Sequence, residues 1–163
     1  GPFDERYVAQ LEATRLKRLN AKEQEEWQAI SKALGDPVAQ DKDALLARLG
    51  ILASMTDTYD PIVTVSEASD TINIQGDVFQ NVWATAAEWR RNGKLLELGQ
   101  HIQCPVVAFH GDCDPHPAEG VQKPLSALLK DFRFVLLKNC GHTPWFERQA
   151  RGSFYEAIQR ELA

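Results

Sequence analysis

The last 60 residues alternate between two short apolar runs and two amphipathic stretches, and this order restricts the fold more than any other feature of the chain. The runs Pro105-Val-Val-Ala-Phe109 and Phe132-Arg-Phe-Val-Leu-Leu137 have the length and the β-branched or aromatic content of strands, the first of them buried. Apolar residues at helical spacing follow each run, over 118–129 and 147–162. Strand–helix–strand–helix predicts an α/β fold with a parallel β-α-β-α unit and a right-handed crossover.

The first 103 residues show helical periodicity instead. Asn20 and Glu23 form a capping box at the start of one helix, Asp41 opens the next, and Gly93 ends a later one. Residues 56–75 have a mixed, turn-like pattern. The apolar positions of the helices are Val8, Leu11, Leu16 and Leu19; Trp27, Ile30 and Leu34; Leu45, Leu46, Leu49 and Leu52; and Phe79, Val82, Trp83, Ala86 and Trp89. We therefore expect a helical domain over 1–103 and a β-α-β-α portion over 104–163.

Composition excludes several classes of protein. With 44% hydrophobic and 25% charged residues the chain fits a globular protein, and its net charge of −5 argues against a nucleic-acid partner. No apolar run has the roughly 20 residues of a membrane span, and the start shows no secretory signal pattern. The three cysteines are odd in number and lack C-x-x-C spacing, so we expect no disulfide framework, no cysteine-zinc site and a cytoplasmic location. We also expect no cofactor.

Polar, titratable clusters follow both predicted strands. Residues 110–117 read H-G-D-C-D-P-H-P, and residues 140–147 read C-G-H-T-P-W-F-E. Sites in parallel sheets form beyond the carboxyl ends of the strands, so the two clusters should meet there. An aspartate that accepts a hydrogen bond from one imidazole nitrogen leaves the other nitrogen free to take a proton from a hydroxyl. The clusters therefore supply two of the three parts of a nucleophilic hydrolase.

The G-x-x-D of Gly111–Asp114 and the C-G-H-T-P-W of Cys140–Trp145 together resemble the end of an α/β-hydrolase, in that family's order of acid before histidine. Prolyl-aminopeptidase-like and esterase-like members with helical lids are the nearest in pattern. The resemblance implies that Asp114 and His142 are the catalytic acid and histidine of a triad. It also implies that residues 1–103 are a lid and that residues 104–163 end the hydrolase core.

The sequence departs from that family at the nucleophile. It contains no G-x-S-x-G elbow and no H-G-G-G oxyanion loop, and strands one to six of the family fold have no counterpart. We therefore expect a chain that is inactive alone because the nucleophile-bearing N-terminal half is absent. When complemented by such a half, it would act on a small-molecule ester or amide.

Other roles stay open for several of these residues. Asp112, rather than Asp114, could orient His142, and either Asp114 or His142 could be an ordinary loop residue, with His142 packed on Trp145. Alternating His110, Asp112, Asp114 and His116 could hold a metal, although the glycine and prolines between them argue against convergence and we predict no metal site. A thiolate of Cys113 could attack a carbonyl, but its flanking carboxylates would raise its pKa.

Aromatic and basic residues of the helical half carry weaker signals. Tryptophans on helical faces usually belong to the core, but a lid also presents apolar surface to a substrate, so Trp83 and Trp145 are candidate substrate-binding residues. We interpret the cluster of Arg15 to Arg18 and the pair Arg90-Arg91 as solvated faces.

A second class of function is also consistent with the sequence. The edge of the strand at Val106–Phe109 would be unpaired, and unpaired edges invite association. The alternative is therefore a non-catalytic helical interaction module that forms a homodimer or swapped oligomer through this edge.

Overall fold

A computed structural model describes residues 3–36, 38–63 and 76–163. Pro37 and most of the stretch predicted as turn-like, residues 64–75, lie outside the described residues. The described part is a mixed α/β structure that is mostly helical, and none of its helices is long and apolar enough to cross a bilayer. Its α-helices are α1 (Glu5–Arg18), α2 (Ala21–Leu34), α3 (Lys42–Asp57), α4 (Gly76–Arg91), α5 (Lys94–Glu97), α6 (Glu119–Leu128) and α7 (Arg151–Leu162), its strands are β1 (Val106–Gly111) and β2 (Phe132–Leu137), and 3-10 turns span Leu98–His101 and Pro144–Phe146.

Several helix ends follow from local side-chain chemistry. The capping box is confirmed: the Asn20 side chain accepts from the backbone N–H of Glu23, whose carboxylate accepts from the backbone N–H of Asn20. Gly93 ends α4 with a φ of 79°, a conformation that glycine adopts without steric cost. Asp41 precedes α3 as predicted, but it has a φ of 56° and its side chain makes no capping hydrogen bond. The sequence therefore predicts where these helices begin and end, but it does not predict that Asp41 makes no capping hydrogen bond.

The helical half has a core of its own. Leu19, Trp27, Ile30 and Leu52 are buried together where α1, α2 and α3 meet, and these are positions that the periodicity marks as inward-facing. Burying a large apolar side chain contributes about 1.5–3 kcal/mol, so this cluster stabilises the packing of the three helices.

The two strands form the parallel pair that the sequence predicts. Val106 lies opposite Phe132 and Gly111 opposite Leu137, so both carboxyl ends meet at one edge. The expectation of a buried first strand is wrong, because Val106 to Phe109 are only partly buried. In the described residues the sheet has two strands, so the outer edge of β1 has no neighbouring strand to cover it.

The apolar face of α4 also departs from expectation. Phe79, Val82 and Trp83 are 43%, 59% and 48% exposed, so these residues do not belong to a core. Trp89, near the end of the helix, is better covered: it is half-buried, with the ammonium of Lys94 4.4 Å from its ring centroid. The helical spacing is correct, but the first turns contact α2 and α3 through Gly76 and Gln80 and not through these apolar side chains.

The buried carboxylate of Glu147 connects the two halves of the chain. It is fully shielded from solvent and accepts backbone N–H groups from Tyr59 at 2.9 Å, Asp60 at 2.7 Å and Gly141 at 3.0 Å. The sequence predicts Glu147 as the first residue of the last helix, whereas that helix begins at Arg151. The carboxylate therefore fixes the loop after β2 against the segment that follows α3.

We expect Glu147→Ala to lower the free energy of unfolding by about 3 kcal/mol, because it leaves three backbone donors without their acceptor. Urea denaturation followed by circular dichroism measures the change. Glu156→Ala, which removes an exposed carboxylate from α7, is the control and should change the midpoint little. Equal midpoints for the two variants would show that Glu147 does not hold the loops together.

Candidate active site

The loops after β1 and β2 approach each other at their backbones. The N–H of Cys113 donates to the carbonyl of Cys140 at 2.8 Å, and the N–H of Cys140 donates to Oδ1 of Asp112 at 3.3 Å. A Cβ on Gly111 would lie 2.2 Å from the Cys140 carbonyl oxygen, which no real Cβ tolerates. Glycine at this position therefore allows the polar clusters of the two loops to meet.

Asp114 and His142 are in direct contact across this junction. Oδ2 of Asp114 lies 2.8 Å from Nδ1 of His142, and the Asp114 side chain is 4% exposed while that of His142 is 50% exposed. An ionised carboxylate only accepts hydrogen bonds, so Nδ1 carries the proton. Neutral His142 therefore keeps the lone pair on Nε2, and in the described residues no side chain hydrogen-bonds to that atom.

This contact shifts the pKa values of both groups. Burial alone would raise the pKa of Asp114, but the hydrogen bonds from His116 and His142 outweigh it and hold that pKa well below its usual range. The hydrogen bond to Asp114 raises the pKa of His142 against the opposing effect of burial. The pair therefore favours an aspartate anion with an imidazole of increased basicity.

Residues of the helical half bind the backbone of His142 and the loops around it. The backbone N–H of His142 donates to the carbonyl of Asp57 at 2.7 Å. Arg15 binds both carboxylate oxygens of Asp57, and Arg18 donates to the carbonyls of Thr56 at 2.6 Å and Cys113 at 2.8 Å.

The interpretation as solvated faces is wrong for Arg15 and for Arg90, whereas Lys17, Arg18 and Arg91 are exposed as expected. Arg15 is mostly buried in its ion pair, and the side chain of Arg90, which pairs with Glu5, is 7% exposed. Their carboxylate partners lie 42 and 85 residues away along the chain, and no local pattern marks such pairs.

The structure separates the alternatives for the polar residues. Asp112 faces the N–H of Cys140 and the Lys138 ammonium, 3.5 Å away, and makes no hydrogen bond to His142. Burial and the neighbouring Asp112 raise the pKa of the Cys113 thiol, which disfavours a thiolate nucleophile. The ring of His142 stacks on that of His116, with centroids 4.5 Å apart, and not on Trp145.

Asp114, His116 and His142 form the only described group of three donors compact enough to consider for a metal, with their ligand atoms within 4.8 Å of one another. Imidazole binds a metal close to the plane of its ring. The two rings are stacked, with an interplanar angle of 26°. Both Nδ1 atoms also donate to Asp114, and the arrangement therefore suits shared protons better than a metal.

The two candidate substrate-binding tryptophans lie on exposed surface. Trp145 is 43% exposed, three residues after His142, and its ring contacts those of Phe146 and Phe154. Trp83 is exposed on α4 and packs on Phe79. Neither lines the cavity of about 110 Å³ that opens beside Asp114, His116 and His142.

Three features of the site have no counterpart in the sequence-based expectation. His116 is predicted there only as a possible metal ligand, yet it binds the second oxygen of Asp114. Asp57 and Glu147 hold the backbone around His142, and the sequence predicts no role in the site for either residue. A histidine between two prolines, two positions after the candidate acid, is the one signal that could have pointed to His116.

Comparison of the chain with protein-family models, with curated proteins and with solved structures gave no match.

We expect Asp114→Asn to lower the pKa of His142 by about one unit or more, because the amide no longer stabilises the imidazolium with a negative charge. An NMR pH titration of the His142 ring resonances measures the shift. Asp112→Asn removes the neighbouring carboxylate and should leave the His142 titration close to that of the unmodified chain. A larger pKa shift for Asp112→Asn than for Asp114→Asn would show that Asp112, and not Asp114, is the carboxylate that stabilises the His142 imidazolium.

Proposed function

We propose that this chain supplies the acid and the histidine of a serine-hydrolase triad, in the manner of the lid and C-terminal part of an α/β-hydrolase. The observation that carries the proposal is the 2.8 Å contact between the buried carboxylate of Asp114 and Nδ1 of the half-exposed His142, at the carboxyl edge of two parallel strands. A histidine acts as a general base when a carboxylate binds Nδ1 and Nε2 is free to accept a proton.

In this proposal His142 removes the proton from a seryl hydroxyl as it attacks an ester or amide carbonyl. The imidazolium that forms is stabilised by Asp114 and then donates the proton to the leaving group. The serine and the oxyanion donors come from a polypeptide segment outside this sequence, because no G-x-S-x-G is present and no hydroxyl of the described residues hydrogen-bonds to the His142 ring.

The exposed aromatic residues fit a lid in the same proposal. Trp145 follows the His142 loop, and Trp83 with Phe79 and Val82 forms an uncovered apolar face on α4. Such surface would contact the acyl or leaving group of an apolar ester or amide once the site is complete.

The three cysteines are unpaired, which agrees with a reducing compartment such as the cytoplasm.

Complementation tests the proposal. We expect cleavage of p-nitrophenyl acetate when the chain is combined with an amino-terminal α/β-hydrolase segment that carries G-x-S-x-G. In the assembled enzyme His142→Ala and Asp114→Asn should each lower kcat by roughly 10³–10⁴-fold, since each removes a part of the triad. Asp112→Asn is the matched control and should retain activity. An active assembly that is indifferent to His142→Ala would overturn the proposal.

A specific observation also favours the second candidate function, a self-associating module. In the described residues β1 pairs only with β2, and α4 leaves Val78, Phe79, Val82 and Trp83 exposed on its surface. An open strand edge and an uncovered apolar face both favour association between copies.

For the isolated chain we expect a dimer at micromolar concentration, measured by sedimentation velocity. Val107→Pro, which introduces a residue unable to continue a strand ladder, should weaken association through the β1 edge. Val82→Glu should do so if the contact is through α4 instead. A monomer at all concentrations would exclude the module and leave the hydrolase proposal intact.

A further inference from the structure

The second carboxylate oxygen of Asp114 has a partner that a triad does not need. Oδ1 accepts hydrogen bonds from Nδ1 of His116 at 2.7 Å and from the backbone N–H of His116 at 2.9 Å. Oδ2 faces His142 at 2.8 Å. One buried carboxylate therefore binds two imidazoles, one on each oxygen, and cannot rotate without breaking hydrogen bonds to both.

The ring of His116 also supports the ring of His142 directly. Their centroids are 4.5 Å apart and their planes lie 26° from parallel. His142 is otherwise half-exposed, so this stack restricts the plane in which its Nε2 lone pair points. His116 thus contacts both members of the acid–base pair.

His116 itself is held in place by its neighbours. Its carbonyl accepts from Nε2 of His110 at 2.9 Å, and His110 is a buried residue near the end of β1. Pro115 and Pro117 flank it, and the fixed φ of proline limits the freedom of the backbone on both sides. The strand therefore positions His110, His110 positions His116, and His116 positions Asp114 and His142.

We propose that His116 is a positioning residue for the base His142, which it serves by holding Oδ1 of Asp114 and by stacking on the imidazole. This role rests on the proposed function for its catalytic meaning, but the contacts exist in the chain as it stands. It has a chemical consequence: a hydrogen bond on Oδ1 draws negative charge from the carboxylate, so Asp114 stabilises the imidazolium of His142 less than an undivided carboxylate would.

Other charged or titratable groups near His142 come from three elements. Asp57 ends α3, and Arg15 on α1 forms an ion pair with it. Nε2 of His110, on β1, lies 3.8 Å from Oδ2 of Asp114. None of these side chains bonds to Oδ1 of Asp114, so a substitution that removes the His116 donor but keeps an aromatic ring changes the hydrogen bonding of that oxygen.

NMR titration of the His142 ring in this chain tests the proposal. His116→Phe keeps a ring to stack but removes the donor to Oδ1, and we expect the His142 midpoint to rise by about 0.5–1 pH unit. His116→Gln offers an N–H donor without the aromatic ring, so its midpoint should lie closer to that of the unmodified chain. His101→Phe, at an exposed histidine of the 3-10 turn, is the matched control. An unchanged or lowered midpoint in His116→Phe would overturn the proposal.

A measurement on the unmodified chain decides the question even if His116→Phe does not fold. Long-range ¹H–¹⁵N spectra report which ring nitrogen carries the proton, and the proposal requires it on Nδ1 of neutral His116. A proton on Nε2 alone contradicts it.

Activity distinguishes this inference from the proposed function. In an assembled enzyme the acidic limb of the kcat/KM pH profile should move to higher pH in His116→Phe by the same interval as the NMR midpoint. If the assembly shows no hydrolysis while the NMR shift is present, the triad proposal fails and the positioning contact stands. If hydrolysis depends on His142 while the midpoint stays unchanged, the positioning role fails alone.

Discussion

The site depends on a single buried carboxylate, and its energetic situation explains much of the surrounding structure. Asp114 is almost completely shielded, and an unpaired charge at such a position would be very costly. It persists because three N–H groups reach its two oxygens, two of them from imidazole rings and one from the backbone. The donors come from the loop after β1 and the loop after β2, so the carboxylate joins the two loops.

Close backbone approach makes that arrangement possible. At Gly111 the chain passes so near the carbonyls of Cys140 and Gly141 that any Cβ would collide with them. Gly141 is similarly confined by the carbonyl of Asp57 and the carboxylate of Glu147. The helical half and the parallel strands therefore meet at the backbone around His142.

Local patterns in the sequence predict local features of this structure. The two strands, their parallel pairing and the capping box at Asn20 each depend on residues within one element or one connection. The meeting of Asp114 and His142 could be predicted because strand ends in a parallel sheet share one edge. The Arg15–Asp57 pair and the role of Glu147 join residues 42 and up to 88 positions apart, and neither periodicity nor spacing records such a contact. The apolar patterns of α4 and β1 predict more burial than the structure shows. Such a pattern indicates that a face can pack against another surface, but it does not show that the described residues supply that surface.

The Asp114–His142 pair stabilises the fold most when His142 is protonated, whereas a general base must be unprotonated. The pKa of Asp114 is lowered by folding, so its contribution to stability is present above the unfolded pKa near 3.8 and is lost as pH falls through the folded value. The pKa of His142 is raised by folding, so its contribution is complete below the unfolded value of 6.5 and is lost as pH rises through the folded value. The ion pair therefore stabilises the fold most between these two unfolded values, where His142 is an imidazolium. A general base must be neutral, so the form that could accept a proton exists at higher pH, where this pair contributes less stability. The hydrogen bond from His116 to Asp114 reduces that conflict, because a carboxylate shared between two rings holds the His142 proton less tightly.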